Sequence, residues 1–327
     1  MIPDPSRPPH PWPFPRRYPV VAGALLGMVL RLLFWDDAAR WGPMAWQFIY
    51  LAPLAVGAVT VYLAERVERR SWHYYVVVGA GANMMFVLGT LLIMIEGLIC
   101  ALVILPVFAL IGAIGALLMG AICRLTNWPG PGAYGFTVLP LLLTALLPMQ
   151  PADHHIGISQ RSVLVSATPQ QVWHQLHNTT AIDAAEVDRA WLYRIGVPLP
   201  VSGVTRRVGA TLERDVTMGK SIRFTQVATD WRENSHVKWS YRFAPDSIPP
   251  KALDDHVKIG GALFDLIDTV YTLRPVGDAT ELTVSMQYRV STDFNWYAKR
   301  VAGLLFGNFE EVILDFYAKR VMLAQNP

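Results

Sequence analysis

From Leu98 to Cys123 the chain runs for 26 residues without a charged side chain, and this stretch narrows the choice of fold more than any other feature. About 20 apolar residues in a helix span the ~30 Å hydrocarbon layer of a bilayer, and a helix bonds all of its own backbone polar groups there. Similar stretches lie on either side. The pattern predicts five helices, at 18–35, 44–64, 74–95, 98–123 and 132–149. The first carries Arg31 near its end, from which a long side chain reaches the interface. The fifth holds Pro140 and ends at Pro148, so it reads as either a kinked span or a re-entrant segment.

The charges divide at the same place. Residues 1–150 hold nine Arg, no Lys and six acidic residues, whereas residues 151–327 hold 19 basic and 19 acidic ones. Overall 53% of the residues are hydrophobic, with a mean hydropathy of +0.31. A net charge of +3 gives no electrostatic footprint for nucleic acid, which is excluded as a partner. The tail at 1–17 is rich in proline, has no apolar core of its own and does not read as a cleavable signal peptide. Arginines alternate across the short connections: Arg7, Arg16 and Arg17 in the tail, Arg40 next, then Arg66, Arg69 and Arg70, none near Glu96, and Arg124 last. Positive residues stay on the cytoplasmic side. The expected topology therefore has a cytoplasmic N-terminus and, after five spans, a C-terminal domain on the periplasmic or extracellular face. The inner membrane of a bacterium is the expected location.

The spans read as an anchor rather than a pore. Only Asn83 is polar near mid-span, with Arg31 and Glu96 near ends, and paired broken helices are not evident. Gly112, Ala116 and Gly120 form a small-residue face suited to close helix packing, the expected contact for a homo-oligomer. Gly79-Ala80-Gly81 lies inside a span with no strand before it, so it does not read as a nucleotide loop. Cys100 and Cys123 fall in apolar runs and read as packing residues.

After a linker at 150–159, periodicity changes to that of strands. Arg161–Ala167 reads as a strand, and Thr168-Pro169-Gln170-Gln171 as the capped start of a helix reaching His177. Beyond a loop-rich region, strands are expected at 209–217, 221–232, 236–244, 264–274 and 280–291. Val237, Trp239, Tyr241 and Phe243 alternate on one, and Leu282, Val284, Met286, Tyr288 and Val290 on another. A long helix at about 294–324 closes the chain. Its expected buried stripe is Val301, Leu305, Phe309, Val312, Phe316 and Leu323, with Lys299, Arg300, Glu310 and Glu311 mostly away from it.

This order of elements, together with SVLVSATPQQVWHQL at 162–176 and WLYRIGVPLPVSG at 191–203, resembles the START-like or SRPBCC superfamily. That superfamily includes Bet v 1-type allergens and the polyketide cyclase/dehydrase and lipid-transport proteins. The resemblance covers about 155–325. It implies an α+β helix-grip domain at 160–327, a curved antiparallel sheet around the long C-terminal helix, carried by an all-α transmembrane bundle at 18–149. It also implies a hydrophobic ligand held between sheet and helix. No single catalytic signature of the family is matched.

Residue chemistry adds little catalysis. His174 and His177 share i, i+3 spacing, but nothing nearby completes a metal site. Asp153-His154-His155 reads as a solvated linker. Asp265 and Asp268, near Tyr271, are the candidate acid–base groups, although a rim or outward position is the simpler reading. The aromatic residues are more informative. Trp239, Tyr241, Phe243, Tyr271, Met286, Tyr288, Phe309 and Val312 are the candidate ligand-binding residues, each also consistent with plain core. No catalytic residue, metal or cofactor is assigned. The expected function is a membrane-anchored binding protein for a lipid or other hydrophobic small molecule, with the bilayer as its other partner. A cyclase- or hydratase-type enzyme and a ligand-sensing membrane scaffold are the alternatives.

Overall fold

A computed structural model of the protein describes residues 18–33, 46–126, 153–254 and 257–325. They belong to two compact units: a helical one within Met1–Glu96 and Ala101–Pro151, and a mixed one within Gly97–Cys100 and Ala152–Pro327.

The helical unit contains α1 (Pro19–Leu33), a π-helical turn (Gln47–Leu51) running into α2 (Ala52–Glu65), α3 (Trp72–Leu92) and α4 (Leu98–Leu125). Three helical segments, Gln47–Glu65, Trp72–Leu92 and Leu98–Leu125, are long and apolar enough to cross a membrane. The first expected span is a shorter apolar helix of 15 residues. The expected tail at 1–17 and the stretch at 132–149 lie outside the described residues. Ser71 caps α3 by accepting from the Tyr74 amide, so the helix starts directly after the charged connection.

Small residues set the helix packing. A Cβ at Gly57 would strike the Gly112 carbonyl, and one at Gly79 would lie 2.5 Å from the Ala116 side chain. A Cβ at Gly120 would run into the ring of Tyr75. The Gly112/Ala116/Gly120 face, expected to make a homo-oligomer, is thus occupied inside the chain by α2 and α3. Without side chains in the way, the helices approach closely and gain van der Waals contact. Asn83 is part of the same contact: its amide donates to the carbonyls of Gly79 at 2.9 Å and Pro53 at 3.1 Å. At one end of the bundle, Glu65 accepts from the Tyr75 hydroxyl at 2.7 Å, and the Arg124 guanidinium lies 4.5 Å over the Trp72 ring. Arg31 pairs with Glu96 at 2.5 Å, so the two ionisable groups near span ends neutralise one another.

The mixed unit is one eight-stranded antiparallel sheet with a long helix. Its elements are β1 (His155–Val165), α5 (Pro169–His177), β2 (Asn178–Thr179), α6 (Ala184–Val187), α7 (Trp191–Arg194), β3 (Pro200–Val208), β4 (Thr211–Met218), β5 (Arg223–Arg232), β6 (His236–Arg242), β7 (Phe264–Val276), β8 (Ala279–Val290) and α8 (Asn295–Gln325). The spatial order is β1-β8-β7-β6-β5-β4-β3-β2. The sheet curls around α8 as a half-barrel in the helix-grip arrangement. Thr168 and Gln171 form the expected reciprocal capping box on α5. On β8 burial alternates residue by residue, with Leu282, Val284, Met286, Tyr288 and Val290 inside, as period-2 patterning requires.

Three expectations change. β1 begins at His155, so residues 155–159 pair with β8 instead of forming linker. β3 occupies part of the region read as loop; its sequence PVSGVTRRV has no clean apolar alternation to announce a strand. The buried face of α8 is also broader than the expected stripe. Val312 and Phe316 of that stripe are buried, but the face extends through Phe306, Glu310, Ile313, Tyr317 and Val321, whereas Leu323 is exposed. Glu310 is fully enclosed, because a wrapped helix buries far more than one narrow stripe.

Candidate functional site

Cross-strand partners in an antiparallel sheet point to the same side, so the register defines what faces α8. One row runs Thr205, Arg214, Gln226, Tyr241 across β3 to β6. A second runs Ala228, Trp239, Thr269, Met286, Ser159 across β5 to β8 and then β1. The Tyr241 and Thr269 hydroxyls join the rows at 2.6 Å. The interior of the grip is therefore a mixed surface, in which apolar side chains flank a stripe of polar ones.

Aromatic rings make up much of the remainder. Tyr288 stacks on Phe306 of α8 at 4.6 Å, with Phe264 at 6.0 Å on the same ring. Gly157 opposite makes this possible, since a Cβ there would fall 2.5 Å from the Tyr288 ring. Tyr271 meets Tyr317 edge to face at 6.0 Å, and Tyr193 of α7 meets Phe309 at 5.9 Å.

Three buried polar groups distinguish the interior from an ordinary core. Arg214 is 7% exposed. It lies against Gly203, where a Cβ would come 2.6 Å from its Nε. It donates one hydrogen bond, to the Tyr317 hydroxyl at 2.9 Å. His177, enclosed between Trp173 and Trp239, contacts Thr205 at 3.0 Å through Nδ1. Burial, helped by the Arg214 charge, pushes its imidazole down to about 3, so it is neutral at physiological pH. Glu310 accepts from Ser159 at 2.6 Å. Burial raises its carboxyl to about 7, despite the Ser159 bond and the nearby Arg161 charge, which favour ionisation. Burial also holds the Tyr271 and Tyr193 phenols above their usual range, and lifts Tyr241 to about 12. These three tyrosines are neutral, and Tyr241 shares a hydrogen bond with Thr269.

Of the residues expected to bind ligand, Trp239, Tyr241, Tyr271, Met286 and Tyr288 stand together on the concave faces of β6, β7 and β8. Phe243 follows the end of β6 and packs on Phe224 at 5.1 Å. Phe309 sits under α7 with Tyr193. Val312 lines a groove of about 470 Å³ beside β1, with Arg161, Arg189 and Asp315. His174 is exposed whereas His177 is buried, so the two imidazoles do not share a site. Asp268 pairs with Lys238 at 2.8 Å, and Asp265 accepts from the Gly260 amide at 2.7 Å. The candidate acid–base carboxylates are thus engaged in structural contacts.

Sequence reasoning passed over Arg214, Gln226, Glu310 and Tyr317. A signal was present for each. Leu212, Arg214, Val216 and Met218 alternate, with the arginine in the apolar phase, and Phe224, Gln226 and Ala228 repeat the pattern. Phe306, Glu310, Ile313, Tyr317 and Val321 follow helical spacing through an acid.

The sheet order and gripped helix define an α+β helix-grip domain. No protein-family profile matches the chain, and no curated protein matches it. Similar solved structures cover the C-terminal half. They include a START superfamily protein from Mycobacterium smegmatis, 17% identical, covering 53% of this chain and 99% of that one with a TM-score of 0.33. The Zhui aromatase/cyclase from Streptomyces sp. R1128 is 11% identical, covering 51% and 94%, with a TM-score of 0.33. A truncated norcoclaurine synthase from Thalictrum flavum is 11% identical, covering 53% and 97%, with a TM-score of 0.32.

Proposed function

We propose that this chain is a membrane-anchored binding protein for a lipid or other hydrophobic small molecule, held between the concave sheet and α8. The observation that carries the reading is the composition of that interior. Rings from Tyr241, Tyr271, Tyr288 and Phe306 surround the sheet positions Trp239 and Met286, while a few hydroxyls and one guanidinium stand among them. Apolar walls with sparse polar groups suit a ligand that is mostly hydrocarbon and is oriented at one point. The three long apolar helices supply the anchor, which keeps the domain beside a reservoir of apolar molecules and raises their effective concentration.

Native mass spectrometry of the detergent-purified protein tests this directly. A small molecule should travel with the protein and be lost on denaturation; a bare protein that also takes up no added fatty acid would refute the reading. For the five-span topology, a C-terminal alkaline phosphatase fusion should be active and a green fluorescent protein fusion dark.

One observation favours a second reading. Glu310 is buried and set to exchange a proton near neutrality, as a general acid or base requires. A cyclase- or hydratase-type reaction would then use Glu310 in place of Asp265 or Asp268. Chemical change of a co-purified ligand that stops in Glu310→Gln would support that activity.

A further inference from the structure

The binding reading leaves the polar end of the ligand open, and the structure narrows it. Arg214 is more than nine-tenths buried and makes one hydrogen bond to protein, to a phenol. A guanidinium carries five N–H donors and does not give up its proton in proteins. Among the described residues no carboxylate forms an ion pair with it. The acids nearest in sequence, Glu213 and Asp215, are bonded to Arg206, and Glu213 also to Arg242. The buried carboxylate of α8, Glu310, is bonded to Ser159 on β1. The Arg214 Nε and the Trp239 indole N–H are both enclosed without a protein acceptor. Arg214 pairs with Gln226 and Gln226 with Tyr241, and Trp239 lies two residues from Tyr241 on the same face of β6, so the two donors belong to adjacent rows of one concave surface, with His177 packed on the Trp239 ring. A buried cation without a counter-charge is costly, and so is a buried N–H without an acceptor. A single acceptor-only anion would relieve both.

We infer that the ligand is an amphipath with one anionic head, a carboxylate on an apolar body, and that Arg214 receives the carboxylate with the Trp239 N–H beside it. This rests on the proposed binding of an apolar molecule under α8. One guanidinium balances one negative charge, which favours a carboxylate over a doubly charged phosphate. Its planar fork matches the two carboxylate oxygens. The rings between Tyr241 and Tyr288 would hold the body.

The test uses the full chain in nanodiscs of zwitterionic lipid, with 11-(dansylamino)undecanoic acid and its methyl ester as probes. The quantity read is the ratio of ester to acid Kd, compared between wild type and Arg214→Gln so that partition into the bilayer cancels. The ratio should be at least tenfold higher for wild type, with the ester bound equally by both. Trp239→Phe, which keeps a ring and removes only the N–H, should lower the ratio a few-fold and serves if Arg214→Gln does not fold. An unchanged ratio in the folded variants would overturn the carboxylate assignment while leaving apolar binding intact. Failure of wild type to bind either probe would instead remove the binding reading, and this inference with it.

Discussion

The Arg214 guanidinium of β4 donates to the phenolic oxygen of Tyr317 at 2.9 Å, joining the middle of the sheet to the helix it grips. Tyr317 also meets Tyr271 of β7, so one phenol ties two strands to α8. Tyr317→Phe keeps the ring and removes the one acceptor that a buried cation has among the described residues. It should destabilise the domain by about 1–3 kcal/mol. Tyr193→Phe, at a hydroxyl that makes no hydrogen bond among the described residues, should cost less than about 0.5 kcal/mol. Urea titration of both variants checks the contrast.

The mixed unit has its own sheet, helix and core, so residues 153–327 expressed alone should be soluble and cooperatively folded. Circular dichroism with both helix and sheet signals, and a single sharp unfolding transition, are the expected results. An aggregated or disordered product across several conditions would show that the domain needs its anchor.

Glu310 gives that domain a particular pH dependence. Its carboxyl is raised in the folded state, from the ordinary 4.5 to about 7. The folded chain therefore binds more protons than the unfolded chain between these values, and stability falls as pH rises through that window. The contribution is fully present below about pH 4.5 and lost above about pH 7. The shift corresponds to about 3 kcal/mol. Glu310→Gln cannot ionise, so its stability relative to wild type should rise by roughly this amount between pH 4 and pH 8. Parallel pH curves for the two proteins would show that Glu310 ionises as freely in the fold as outside it.

Met286 lies between Thr269 and Ser159 on the concave face, where a larger side chain distinguishes a filled core from a ligand site. Met286→Trp adds a large ring. In a filled core the overpacking would cost about 1–3 kcal/mol. Against a ligand site the ring should be tolerated while displacing the probe, which is the expected result. Thermal unfolding and dansyl-probe binding, measured on the same preparation, distinguish the two.

In the helical unit, Gly57 and Gly81 make a matched pair. A side chain at Gly57 would meet the Gly112 backbone, while nothing lies within 4 Å of a Cβ at Gly81. Gly57→Leu should force α2 from α4 and sharply reduce the yield of monodisperse detergent-extracted protein, whereas Gly81→Leu should extract normally. Size-exclusion chromatography gives the comparison.

Much of this architecture is legible in the sequence because its determinants are local. Apolar runs of about 20 residues fix where helices suited to a bilayer lie, and Thr168 with Gln171 fixes the start of α5. The alternation from Leu282 to Val290 fixes the inward face of β8. These signals depend on period and spacing alone, and they sufficed for the order of elements that the START-like resemblance names.

The character of the interior is a different matter, because it depends on register between strands far apart in the chain. Arg214 looks like an ordinary surface charge until pairing places it between Thr205 and Gln226 and beneath Tyr317, 103 residues away. Glu310 looks like the polar side of an amphipathic helix until the sheet closes over it and Ser159, 151 residues away, meets it. In the same way the Gly112/Ala116/Gly120 face says only that some helix packs closely there, and folding decided that the partners are α2 and α3 of the same chain. The sequence by itself determined which segments become helix and strand and which of their faces are mostly apolar, since hydrophobic burial follows area and periodicity. Tertiary structure alone decided which polar groups are enclosed with them, since the cost of burying a charge depends on the atoms that come to surround it.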